Sequence, residues 1–179
     1  DITKTELEKI VNKIKYVPNT PLYMGNRETF YLVNEGFNLQ RDDSSKGALH
    51  IEYIDFETPE NNIFKVVNQF TVQDVRERRP DMLLFINGIP VVIFEFKSAI
   101  NENTTVHDAW KQINIRYNRD IPSLMKYAFL SVISDGANTK LGSIFTPYEY
   151  YYSWNKVSDE EKAPASHGIG TLLTMINGA

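Results

Sequence analysis

Apolar residues recur at three- and four-residue spacing near the start of the chain. Leu7, Ile10, Val11 and Ile14 line one face of residues 3–16, with Thr3 or Thr5 in front as a cap, and this predicts an amphipathic helix. "PNTPLYMG" breaks the pattern. "NRETFYLVNEGF" then predicts a short helix that starts at Asn26, buries Phe30 and Val33, and stops at Gly36. After the polar loop "LQRDDSSKGAL", period-two and β-branched patterns take over: "HIEYIDF" (50–56), "IFKVVNQFTVQDV" (63–75), "DMLLFIN" (81–87) and "IPVVIFEFK" (89–97) are expected as strands. Asn87-Gly88 between the last two is a hairpin signal, and Pro90 is tolerable beside the turn. Residues 104–120 return to helical spacing, with Pro122 at the end; "YAFLSVISDG" is a buried strand, and "SIFTPYEYYYSW" is read as one or two more. The order predicts an α+β fold, a mixed central sheet flanked by helices.

The hairpin carries charges that an apolar setting disfavours: Asp81, Glu95 and Lys97. Alternation puts Glu95 and Lys97 on one face. A three-residue turn would pair Ile86 with Pro90 and set Asp81 opposite Glu95; a two-residue turn would leave the two carboxylates diagonal. Either way they lie within reach of each other, and two adjacent carboxylates repel unless a cation sits between them. Lys97 supplies one positive charge, and Mg²⁺, which takes one or two carboxylates and keeps several waters, would supply more. Phosphodiester hydrolysis uses such a set. The plain alternative is a salt-bridged Glu-x-Lys near a strand end.

The 179 residues suffice for one compact core, and 42% apolar content fits a globular chain. No run approaches the ~20 apolar residues of a membrane helix, and no signal peptide is visible. The chain contains no cysteine, which excludes disulfides and thiol chemistry and fits a reducing cytoplasm. The net charge of −4 rules out a uniformly basic nucleic-acid binder but not a local basic strip. His50, His107 and His167 lack metal-ligand spacing, and no Gly-x-Ser-x-Gly or Walker loop occurs.

"PD" at 80–81 with "EFK" at 95–97 resembles the PD-(D/E)xK nuclease signature. "NIFKVVNQFTV" (62–72), "RRPDMLLFINGIPVVIFEFKSA" (78–99), "AWKQINIRYNRDIPSL" (109–124) and "AFLSVISDGANTKLGS" (128–143) resemble one branch of it, the N-terminal nuclease domain of the type I restriction enzyme R (motor) subunit. The resemblance implies a restriction-endonuclease-like core over residues 1–157, with 158–179 opening a linker toward a motor. It implies a Mg²⁺-dependent endonuclease acting on double-stranded DNA in the cytoplasm. Its partners would be motor domains that use ATP outside this segment, and methyltransferase and specificity subunits. Asp81 and Glu95 would be the Mg²⁺ ligands and Lys97 the catalytic lysine. Arg79 and Arg116 would hold DNA, within a wider set (Arg76, Arg78, Lys111, Arg119) that could grip phosphates. An inert docking module between motor and methyltransferase is the rival reading.

The family also has a Gln-x-x-x-Tyr motif, with DNA contact and cleavage attributed to it, whereas here Gln112 and Tyr117 are five apart. On a regular helix such residues differ by ~140°. The expectation is therefore a regular helix, Gln112 alone facing the hairpin and Tyr117 packed inward with Val106, Ala109 and Trp110; a π-bulge would instead bring both to the site. Glu28 and Glu35 are candidates for a further acidic site residue from an early helix, and the "YEYYYSW" aromatics are expected in the core.

Overall fold

The computed structural model describes residues 2–97, 105–136 and 138–154. The linker expected from residue 158 onward lies outside these. Thr3 and Glu6 form a capping box that starts helix α1 (Lys4–Lys15). Its buried apolar face is narrower than expected: Ile10 and Ile14 are buried, while Leu7 and Val11 are about half exposed. Helix α2 (Leu22–Glu35) begins one turn before Asn26, whose side chain donates instead to the carbonyls of Met125, Lys126 and Ala128. It ends at Gly36, as its φ of 67° requires. Val33 is buried, but Phe30 lies outside the core and packs edge-on against Phe129.

Two short strands, β1 (Phe37–Leu39) and β2 (Leu49–Ile51), pair antiparallel. β1 was not expected, and β2 is shorter than the 50–56 run because Asp55 is engaged in capping the turn at residues 57–62. The main sheet has six strands in chain order: β3 (Phe64–Asn68), β4 (Met82–Ile86), β5 (Ile89–Phe96), β6 (Leu130–Ser134), β7 (Thr139–Gly142) and β8 (Tyr152–Ser153). β3 stops short of residue 75 because Gln69 turns into a positive φ of 53° and its amide donates to the Asp81 carbonyl. The "SIFTPYEYYYSW" stretch contributes only β8, after a 3₁₀ turn over Tyr148–Tyr150; Tyr151 is in the core as expected and Tyr148 packs against it, but Tyr150 and Tyr152 are exposed. β5 and β6 are parallel and the other neighbours antiparallel, so the sheet is mixed and the fold is α+β. A parallel pair needs a crossover, supplied by α3 (Val106–Lys111), a π-helical turn (Gln112–Tyr117), α4 (Asn118–Asp120) and α5 (Pro122–Met125). No helix among the described residues is long and apolar enough to cross a membrane.

The β4–β5 hairpin decides where the charges point. Asn87 and Gly88 both take positive φ (50° and 85°), which makes a two-residue turn pairing Ile86 with Ile89. By itself that register would leave Asp81 and Glu95 diagonal. A bulge intervenes: Phe85 pairs with Pro90 but Leu84 with Val92, so Val91 is the extra residue. Beyond it Met82 faces Phe94, and one step further the same register sets Asp81 across from Glu95. The bulge also reassigns faces. Ile89, Val91, Val92 and Phe94 belong to the core that includes Ile14 of α1 and Val33 of α2, whereas Leu83 and Ile93 belong to the core beneath the crossover. Alternation from Ile93 therefore sends Glu95 and Lys97 toward the crossover helix.

Candidate active site

Glu95 is 2% exposed, a carboxylate at the end of an apolar strand. Two side chains, Lys97 and Tyr117, satisfy it, and a third, Gln112, links them. Lys97, two residues on and on the same face, donates from Nζ to Glu95 Oε1 at 2.9 Å and to Gln112 Oε1 at 2.8 Å. The Gln112 amide Nε2 donates to the Tyr117 hydroxyl at 2.7 Å, and that hydroxyl donates to Glu95 Oε2 at 3.0 Å. The four contacts close a ring, Glu95–Lys97–Gln112–Tyr117, in which each side chain bonds to both neighbours. The Lys97 amide donates to the Ser134 carbonyl at 2.8 Å, which ties this strand end to β6.

The ring exists because residues 112–117 are π-helical. The expected regular helix is thus overturned. With i→i+5 hydrogen bonding, residues five apart stack instead of diverging by ~140°, so the additional residue between Gln112 and Tyr117 is absorbed and both reach the hairpin. One part of the expectation holds. The Tyr117 ring does pack inward with Val106, Ala109 and Ile113, and only its hydroxyl enters the site. Tyr117 is 2% exposed, and within the protein its hydroxyl is bonded to Glu95 and Gln112.

Asp81 lies just before β4. Its Oδ2 accepts from the Phe96 amide at 2.8 Å, and its Oδ1 accepts from Gln69 Nε2 at 3.0 Å. Gln69 had no signal in the sequence. Its contact depends on the left-handed turn that ends β3. Burial is the largest influence on Glu95 and pushes its pKa up to about 7; Asp81 adds repulsion, while the bonds from Lys97 and Tyr117 pull the other way. Burial also raises the Tyr117 phenol, with the Glu95 charge acting in the same direction.

A cleft of about 510 Å³ opens beside the ring. It is lined by Gln112 and Tyr117, by Arg116 and Arg119 from the helix, and by Thr71, Glu77, Arg78 and Arg79 from the loop that runs into Pro80-Asp81. Arg79 and Arg116, expected at DNA, are both exposed there and make no ion pair among the described residues. Arg78 and Arg119 converge on Asp120, a buried residue that sequence reasoning did not single out because nothing in its spacing marks it. Lys111 pairs with Asp108 instead of lining the cleft. Glu28 and Glu35 line a separate groove with Arg27 and Tyr31, so neither joins Asp81 and Glu95.

Asp81 and Glu95 offer hard, anionic oxygens. Each has two hydrogen-bonded contacts out of roughly four lone-pair positions, so both retain acceptor capacity. Among the described residues no group of three or more His, Cys, Asp or Glu could hold a metal. Two carboxylates with room for water fit Mg²⁺, which needs no all-protein cage.

Two outcomes follow from this geometry. The folded chain keeps a proton on Glu95 between about 4.5, its ordinary value, and about 7. That contribution to stability is complete below 4.5 and is lost as pH rises through 7. In chelator, the melting temperature of Glu95→Gln should therefore gain on wild type from pH 4.5 to 7, and a constant difference would contradict the buried carboxylate. Glu6 (lowered to about 2) and Asp120 (also lowered) lose their contributions as pH falls, below this window. Secondly, Tyr117→Phe removes the donor to Glu95 and the acceptor of Gln112. It should lower unfolding free energy by about 1–3 kcal/mol, read from denaturant melts, whereas a regular-helix site would leave stability unchanged.

Comparison with known proteins yields the same family. The family model for the type I restriction enzyme R protein N terminus matches residues 1–150. A Methanocaldococcus jannaschii protein assigned as the MjaIXP type I restriction enzyme endonuclease subunit is 34% identical over 158 residues, covering 86% of this chain and 15% of its own length. The HindI type I restriction enzyme endonuclease subunit of Haemophilus influenzae is 29% identical over 155 residues, covering 84% and 15%. The SsaAORF53P endonuclease subunit of Staphylococcus saprophyticus is 27% identical over 131 residues, covering 70% and 14%. This chain thus spans about 15% of the length of the first two relatives. With the model match extending over most of its residues, the chain belongs to the family of type I restriction enzyme R protein N-terminal domains.

Proposed function

We propose that this chain is the Mg²⁺-dependent endonuclease domain of a type I restriction enzyme R subunit, hydrolysing phosphodiester bonds of double-stranded DNA during restriction of foreign DNA. The observation that carries the reading is the closed ring on Glu95, with Asp81 in cross-strand register. A carboxylate only 2% exposed beside a second one is disfavoured in a merely structural hairpin, and the adjoining cleft offers guanidiniums that suit a phosphate backbone. Those features favour the nuclease over an inert docking module.

Asp81 and Glu95 would hold the metal, which when bound neutralises phosphate charge and acidifies water. The chain's own groups do the rest. Lys97 Nζ, held by Glu95 and Gln112, has a third N–H to orient the attacking water and to stabilise charge developing on the phosphate. Tyr117 keeps Glu95 in one rotamer, and Gln112 keeps Lys97 and Tyr117 in mutual register. Arg79 and Arg116 take backbone phosphates at the mouth of the cleft. ATP would be used by motor domains elsewhere in the full-length subunit, and recognition of sequence would belong to the methyltransferase and specificity subunits. Such an enzyme acts in the cytoplasm.

In the full-length restriction complex, Asp81→Ala or Glu95→Ala should abolish Mg²⁺-dependent nicking while ATP-driven translocation continues. Lys97→Ala should lose cleavage and retain Mg²⁺ binding, measured by calorimetry on folded protein. Nicking at the wild-type rate by any of the three would remove that residue from the reaction.

A further inference from the structure

The cleft contains an arrangement that neither hydrolysis nor the metal accounts for. Asp120 is 0% exposed and stands between two arginines from different segments. Arg78 Nε and Nη2 donate to its Oδ2 at 2.8 and 2.6 Å. Arg119 Nε donates to Oδ1 at 2.7 Å and Arg119 Nη2 to Oδ2 at 3.0 Å. Around this pair the loop is fastened to the helix end by backbone contacts: the Arg76 amide donates to the Asp120 carbonyl at 3.0 Å, and the Ser123 amide donates to Asp74 Oδ2 at 2.8 Å. Val72 and Arg78 bridge the loop's own base.

A structural staple would be complete with one arginine turned fully inward. Here there are two, and their side chains remain 34% and 57% exposed, against 0% for Asp120. A guanidinium has five N–H donors in a rigid plane, and each arginine spends two on Asp120, so three on each have no partner among the described residues. Both arginines line the cleft that holds Gln112 and Tyr117. The local balance of two cations and one anion remains positive. A free surface arginine must give up rotamer freedom when it grips a ligand, and one already locked by a buried carboxylate does not.

We propose that Asp120, Arg78 and Arg119 form a preorganised phosphate fork, in which Asp120 fixes two guanidiniums so that their outer edges seat a DNA backbone phosphate neighbouring the one at Asp81 and Glu95. Arg78 and Arg119 touch the DNA, and Asp120 is a positioning residue acting through them. The fork rests on the nuclease reading, and it adds a specific anchor that sets which bond reaches the carboxylates. Because the arginines come from the loop leading into Asp81 and from the end of the crossover helix, the fork couples the position of DNA to both halves of the site.

The test is duplex binding by the 179-residue chain in EDTA, where no cleavage occurs, using a short labelled duplex across a salt series, with melting temperature recorded for each variant. Wild type should bind with steep salt dependence. Arg78→Lys and Arg119→Lys keep the charge but lose the planar fork, and each should bind about tenfold more weakly. Arg78→Ala and Arg119→Ala should in addition flatten the salt dependence by a slope of about 1. Asp120→Asn removes a negative charge, yet it should weaken binding because the guanidiniums lose their support. Lysine variants that bind as wild type does, or whose loss of binding only follows loss of folded protein, would overturn the fork and leave the nuclease reading standing. So would tighter binding by Asp120→Asn, which would mark a purely electrostatic role. If wild type itself failed to bind duplex at low salt, the DNA reading and the fork would fall together.

Discussion

A carboxylate has been carried out of water at Glu95, and much of the surrounding architecture can be read as what that requires. A buried charge without partners is among the costliest features a fold can hold. One cation two residues away cannot satisfy both oxygens, so the second oxygen must find a donor from another element. Tyr117 supplies it, and the tyrosine hydroxyl is in turn held by Gln112, which also steadies Lys97. A π-helical turn, usually a less favourable backbone, persists where it completes this ring.

The hairpin shows the same economy. Its Asn-Gly turn favours a two-residue connection, and the bulge at Val91 then shifts the register by one. Without the bulge, strict alternation would put Ile89 and Glu95 on one face and one of them would be misplaced. With it, Ile89 and both valines enter the core on the α1 and α2 side, while Glu95 and Lys97 face the crossover helix. Two backbone irregularities, one in a strand and one in a helix, therefore converge on a single set of side chains. Regular elements would separate them.

Charge in the cleft is arranged on a different principle. The ring holds its charges buried and mutually satisfied, whereas Arg79 and Arg116 stay exposed and Arg78 and Arg119 are only half committed, to Asp120. An anion approaching the cleft thus meets guanidiniums whose orientation is already partly set. The chain's net charge of −4 conceals this, because it sums over the whole sequence, whereas the cleft is lined by Arg78, Arg79, Arg116 and Arg119 with Glu77.

The sequence alone determined the mixed α+β class, the Asn87-Gly88 turn, the Gly36 stop and the shared face of Glu95 and Lys97. Each depends on local conformational preference or on strict alternation along one strand. It also placed Asp81 within reach of Glu95, since either turn length gave that result. Tertiary structure alone decided what depends on partners distant in sequence. β3 ends before Gln69, which turns to bond Asp81, and Phe30 stays outside the core because α2 turns Gly25, Thr29, Leu32 and Val33 inward. The π-turn is the clearest case. A five-residue spacing on an isolated helix diverges by ~140°, and the intrinsic preference for regular geometry is outweighed only when a buried Glu95 oxygen stands waiting for a donor. That oxygen lies twenty-two residues away along the chain, and no local pattern around Gln112 or Tyr117 registers it.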